Sequence, residues 1–312
     1  MVIKNPKSYM NKEWKPLILD TESVTTGHGN AIHQLAKGDI PAVIVRHAYP
    51  EQSCQALLER LFKRQLFEGF AGCQSSNIES SKIERFDLGT SLGNLFSQPQ
   101  NFFAHSAKTN TLYKTLFDGL INPIDVLYAW LAKLAVDKSV MTAREPDGRE
   151  YGATIFRCHM PNWGYPPHMD SVRNMGSSIT ASKNERTQYA VYRFNRQLGG
   201  VLLLQSPEDN SASCDSIMYR CEWGNEIEAM METVNLGLNE PKARMINVNK
   251  FDDYVSSNTI STYEVSLSPG DLYFFRADSP HAIPRFIGQT PRITMATFIG
   301  YSPEDPDVFV WS

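Results

Sequence analysis

The segment NWGYPPHMDSVRN, residues 162–174, sets His168 and Asp170 two positions apart after a Pro-Pro pair. A bare H-x-D arises often by chance, so its meaning depends on what else the chain supplies. In LSPGDLYFFRADSPHAIPRFIGQTPRITMATFIGY, His281 follows Asp271 by ten residues, Arg292 follows His281 by eleven, and Thr294 stands two further on. His168, Asp170 and His281 are two imidazoles and one carboxylate, a set that holds a divalent metal and leaves three positions open. That is the arrangement expected of a non-haem Fe(II) site that activates O2. Alternation along a strand puts Arg292 and Thr294 on one face, where a guanidinium and a hydroxyl can grip one carboxylate. Two open metal positions suit a bidentate 2-oxo acid, and this clamp suits the acid's far carboxylate.

These residues need a rigid frame, and the second half of the chain reads as one. GATIFRCHM, TQYAVYRFN, GGVLLLQS, ARMINVN, TYEVSLS, DLYFFRA and RITMATFIGY are short β-type runs parted by Gly, Pro and Asn turns, with Pro269-Gly270-Asp271 as one such turn. They predict a sandwich or barrel. The stretch at about 222–236, EWGNEIEAMMETVNL, reads as a helix inserted between strands. In the first half, PAVIVR at 41–46 is a strand, and Pro50 opens a helix after it. A second helical region at about 111–136 is broken into two pieces by Pro123. The expectation is one domain over 1–312, mainly β with α support. Residues 1–145 are mainly helical support with an early strand, and 146–312 form the β core.

Composition narrows the partners. The 312 residues carry 30 Lys+Arg against 34 Asp+Glu, scattered rather than blocked, so no basic footprint for nucleic acid is present and a small-molecule partner is expected. No apolar run reaches membrane-span or signal-peptide length, which predicts a cytoplasmic protein. Cys54, Cys73, Cys158, Cys214 and Cys221 are odd in number and contain no C-x-x-C, so they read as reduced structural thiols. Nothing in the sequence sets the oligomeric state.

H-x-D, a distant His, then Arg at plus eleven with a hydroxyl residue two later resembles the Fe(II)/2-oxoglutarate-dependent oxygenase superfamily, and the Gly199–Ser206 strand GGVLLLQS fits it. More narrowly, PGDLYFFRADSPHAIPRFIGQTPRITMATFIGYS, the closing VFVWS and the early PAVIVRHAYPEQSCQALLERL are similar to the carrier-independent alkaloid halogenases and their hydroxylase relatives. The resemblance implies a double-stranded β-helix (jelly roll, cupin-like) with flanking helices. It also implies Fe(II), 2-oxoglutarate and O2 as cofactors and co-substrates, with succinate and CO2 released as an unactivated C–H bond is oxidised. Those halogenases carry Gly at the acidic ligand position, where this chain has Asp170. The expected outcome is therefore hydroxylation, desaturation or oxidative cyclisation. The alternatives are a cupin-type metalloenzyme without a 2-oxo acid and a non-catalytic metal-binding sensor.

Other residues carry weaker signals. His159, nine positions before His168, reads as a satisfied core histidine or one supporting a ligand. Trp163 and Tyr165 are candidates for the pocket wall, and Arg193 for binding an acidic substrate group or supporting the co-substrate. His28, His33, His47 and His105 lack carboxylate partners at ligand spacing.

Overall fold

The computed structural model describes residues 13–21, 27–67, 85–95, 98–173, 183–207, 214–235, 242–287 and 290–312. Its strands are β1 (Leu17–Asp20), β2 (Ala42–Arg46), β3 (Arg85–Gly89), β4 (Ser139–Thr142), β5 (Ile155–His159), β6 (Tyr165–His168), β7 (Arg196–Gln205) and β8 (Ser216–Tyr219). They continue with β9 (Met231–Asn235), β10 (Lys242–Ile246), β11 (Thr262–Val265), β12 (Leu272–Arg276), β13 (His281–Ile283), β14 (Arg292–Tyr301) and β15 (Asp307–Trp311). The helices are α1 (Ala31–Lys37), α2 (Glu51–Lys63), α3 (Leu92–Leu95), α4 (Pro99–Leu116), α5 (Pro123–Leu134), α6 (Lys183–Thr187), α7 (Asn225–Ala229) and α8 (Val248–Ser257).

The strands form a double-stranded β-helix. The larger sheet runs β1-β2-β12-β7-β14, and β14 then pairs with β5 along its first half and with β15 along its second. Beyond these lie β3, on β5, and β4, on β15. The smaller sheet runs β11-β8-β13-β6, and side chains from both sheets line one central cavity. Period-two alternation sorts each strand of the larger sheet into two faces. Leu272 and Phe274 of β12, Ile293 and Met295 of β14, and Phe156 and Cys158 of β5 pack with Ile32, Leu57, Leu116 and Leu131 of α1, α2, α4 and α5. Tyr273 and Phe275, Arg292, Thr294 and Ala296, and Ile155, Arg157 and His159 turn the other way, into the cavity. The helices thus cover one face of the sheet, and the other face is free to carry chemistry.

Helix starts follow local chemistry. α5 begins with Pro123 in its first turn, and the Asn122 side chain accepts the Ile124 N–H at 3.0 Å. Gly270, in the turn before β12, has φ +92°, and a Cβ there would lie 2.2 Å from the Tyr49 carbonyl oxygen. Its N–H donates to Leu203 and its carbonyl accepts from Tyr49, so the backbone cannot move away from the clash. Gly270→Ala is therefore expected to destabilise by at least about 3 kcal/mol, a fall in Tm of roughly 6 °C or more, as read by calorimetry.

Two readings of the sequence need correction. The inserted helix expected at about 222–236 ends after the single turn of α7, and Met231–Asn235 pairs antiparallel with β10 instead. The Met230 N–H closes the helix on Ile227, and the β-branched Thr233 and Val234 belong to the ladder that follows. The expected strand TQYAVYRFN is a 3-10 turn at Ala190–Arg193, with Tyr189, Val191 and Phe194 buried in a side cluster. Among the described residues no helix is long and apolar enough to cross a membrane. Cys54, Cys158, Cys214 and Cys221 are free thiols, and Cys73 lies outside the described residues.

Candidate metal and co-substrate site

His281 opens β13 and faces His168, the last residue of β6, directly across the ladder, with ring centroids 4.2 Å apart. Beyond β6, Met169 turns into the core and Asp170 turns back toward the rings, its N–H donating to the Ala277 carbonyl at 2.8 Å. One Asp170 carboxylate oxygen, Oδ2, lies 3.8 Å from His168 Nε2 and 3.7 Å from His281 Nε2. Among the described residues this is the cluster of His, Cys, Asp and Glu with metal-binding geometry, its donor atoms all within 4.8 Å of one another.

The hydrogen bonds behind the rings set their tautomers. His168 Nδ1 lies 2.9 Å from the Pro166 carbonyl and His281 Nδ1 lies 3.0 Å from the Ser279 carbonyl. A carbonyl only accepts, so both Nδ1 atoms carry a proton and both Nε2 atoms are turned toward Asp170. Burial, aided by His281, pushes His168 down to about 3. Burial works to raise Asp170, but His281, His168 and Arg157 beside it outweigh burial and hold the carboxyl at about 2. An imidazole held neutral, as at His168, and an ionised carboxylate suit a divalent metal, and two imidazole nitrogens with one carboxylate oxygen are a donor set that fits Fe(II).

On β14, Arg292 and Thr294 are both buried and both line the cavity. Arg292 Nε donates to Asp215 Oδ1 at 3.1 Å, and Asp215 Oδ2 accepts the Leu267 N–H at 2.8 Å. Asp215 thus fixes the plane of the guanidinium and leaves its terminal nitrogens for another partner. The cavity has an apolar side built from Ile155, Val201, Phe275, Ile283 and Phe298. Ser216 and Tyr273 add a hydrogen-bonded hydroxyl pair 2.9 Å apart, and burial pushes the Tyr273 phenol up to about 12.

Not every residue singled out from the sequence lies here. His159 is not satisfied. It lines the cavity and neither ring nitrogen has a partner among the described residues, and burial with Arg292, Arg157 and Arg85 nearby pushes it well below the usual histidine range. Trp163 stacks on His159 with centroids 4.1 Å apart, and Tyr165 meets His168 edge-on at 4.0 Å. Both aromatics back the cavity residues rather than line the cavity. Arg193 does not line it; it is bound to Asp305 at 2.8 Å and Asp307 at 3.1 Å and lies over the Phe309 ring. Its charge is compensated at the surface by these two carboxylates. Sequence reading passed over Arg157, Asp215, Ser216 and Tyr273. Arg157 alternates with His159 in IFRCH, a signal that becomes useful once β5 is known to face inward.

A family model for the carrier-protein-independent halogenase WelO5 matches residues 14–312. No curated protein matches the sequence. Among solved structures, an N-substituted L-amino acid dioxygenase from Burkholderia ambifaria AMMD in complex with alpha-KG is 18% identical, each chain covered over 90%, with a TM-score of 0.48. HygX from Streptomyces hygroscopicus, with nickel, 2-oxoglutarate and hygromycin B bound, is 12% identical with 90% of each chain covered and a TM-score of 0.40. With nearly its whole length matched, the chain belongs to the WelO5 family of carrier-protein-independent, Fe(II)/2-oxoglutarate-dependent enzymes that act on small molecules.

Proposed function

We propose that this enzyme oxidises an unactivated C–H bond of a small molecule by hydroxylation, desaturation or oxidative cyclisation, without halide transfer. His168, Asp170 and His281 are the iron ligands, and Arg292 with Thr294 holds the far carboxylate of 2-oxoglutarate. The carrying observation is the Asp170 carboxylate, seated within 4 Å of both imidazole Nε2 atoms. Fe(II) bound there, with 2-oxoglutarate and O2, supplies the oxidising power for the C–H bond, with succinate and CO2 as co-products. The residues around it position and protect. The Pro166 and Ser279 carbonyls hold the ring tautomers, Asp215 holds the Arg292 plane, and the wall of Val201, Phe275 and Phe298 keeps water from the substrate side. The free thiols among the described residues support a cytoplasmic location.

Halide transfer in the similar halogenases goes with Gly at the acidic position. Here Asp170 fills the coordination position a halide would need, and its charge weakens the attraction for an anion. Products formed in high bromide are accordingly expected to contain added oxygen, or to have lost hydrogen, and to carry no bromine. Asp170→Gly opens the position and is expected to leave poor activity, because halide placement also depends on surrounding groups. Mass spectrometry of wild-type products reads the result. A brominated product from the unmodified enzyme removes Asp170 from the ligand set.

A further inference from the structure

Three guanidiniums converge around one corner of the cavity, and one of them stands without a partner. On the inward face of the larger sheet, Arg85 of β3 and Arg292 of β14 flank His159 across the strands. Asp87 and Thr294 flank Arg157 in the next row. Arg85 is paired with Asp87 at 2.9 Å and Arg292 with Asp215 at 3.1 Å. Arg157 makes no hydrogen bond or ion pair with any described residue, and its Nε is sealed from solvent without an acceptor. Asp87, directly opposite, also keeps one buried oxygen unbonded rather than reaching it. Arg157 is half-buried, and a cation drawn even partly out of water is ordinarily given a direct partner, because leaving it without one is costly. One that lines a cavity and is kept unpaired is positioned to meet an anion from outside the chain.

We propose that Arg157 is a second carboxylate-binding residue of this cavity, distinct from the Arg292–Thr294 clamp. The proposal rests on the Fe(II)/2-oxoglutarate reading of the site. Arg157 lines the same cavity as the clamp and the metal candidates. Its strand neighbour is Thr294, and Asp170 is near enough to favour its charge. A carboxylate at that place has two sources. One is the 1-carboxylate of the co-substrate at the metal. The other is an acidic group on the substrate, whose apolar body would rest on Phe275 and Phe298. In either case the planar guanidinium offers two parallel N–H donors.

The test uses protein loaded with Mn(II) under nitrogen, with binding read by calorimetry in wild type, Arg157→Met and Arg157→Lys. Arg157→Met keeps the apolar stem and removes an uncompensated charge, so its Tm is expected to equal or exceed that of wild type. A first arm titrates 2-oxoglutarate. A second titrates benzoate against benzamide with 2-oxoglutarate saturating. A tenfold or greater loss of 2-oxoglutarate affinity in Arg157→Met, partly restored in Arg157→Lys, supports the proposal with the co-substrate as source. Unchanged 2-oxoglutarate affinity with loss of a tenfold preference for benzoate supports it with the substrate as source. Arg157→Met with both affinities unchanged overturns it. So does a Tm several degrees below wild type in both variants, which makes the residue structural. Failure of the underlying reading appears separately, as wild-type protein that does not bind 2-oxoglutarate.

Discussion

His281→Ala is expected to lose iron binding by at least about a hundredfold and to lose turnover entirely, and His168→Ala to do the same. Two remaining protein ligands cannot hold a labile divalent ion tightly against water, and even the groups that orient a ligand are typically worth ten- to a hundredfold in affinity. The fold should survive, because removing His281 leaves the β13 backbone pairing to β6 and β8 intact. Metal content after gel filtration and calorimetric titration with Co(II) check the result, with circular dichroism as the folding control. Wild-type iron stoichiometry and activity in either variant would mean that the metal lies elsewhere.

The second large effect belongs to Arg292. Arg292→Ala removes the guanidinium from a buried carboxylate and leaves Asp215 unpaired as well. Truncating one partner of a buried charged pair costs about 2–5 kcal/mol, so the affinity for 2-oxoglutarate should fall at least about tenfold. Arg292→Lys keeps the charge but cannot reproduce both the Nε bond to Asp215 and a two-pronged grip on the co-substrate, so it should fall between wild type and Arg292→Ala. The half-saturation concentration for succinate release, together with the directly measured Kd, checks both. A cupin-type enzyme without a 2-oxo acid would show no 2-oxoglutarate dependence for the substitution to alter.

The residues that meet at the centre were legible because short-range rules govern them. H-x-D at the end of a short strand, the Pro-Gly-Asp turn feeding β12, and the Arg292–Thr294 alternation each follow from strand period and turn chemistry. What sequence could not give was pairing between distant strands. Arg157 and His159 acquire meaning only when β5 lies between β3 and β14, and Asp215 reaches Arg292 from the bend before β8, 77 residues earlier in the chain. The surroundings of Arg193 were hidden for a related reason. Its partners Asp305 and Asp307 lie more than a hundred residues away, and a 3-10 turn with buried Tyr189, Val191 and Phe194 mimics the alternation of a strand. The 222–236 segment failed at short range instead. A one-turn helix running into a short strand gives neither period long enough to be recognised.

The most direct measurement needs no substrate. Anaerobic protein titrated with Fe(II) and then 2-oxoglutarate should take up one of each per chain and develop the visible metal-to-ligand charge-transfer band of a 2-oxo acid chelated to iron. The band should be absent in His281→Ala and should require far more 2-oxoglutarate in Arg292→Ala. Wild-type protein that binds iron and 2-oxoglutarate without developing the band, or His281→Ala protein that develops it at wild-type strength, would contradict the assignment of His168, Asp170 and His281 as the iron site.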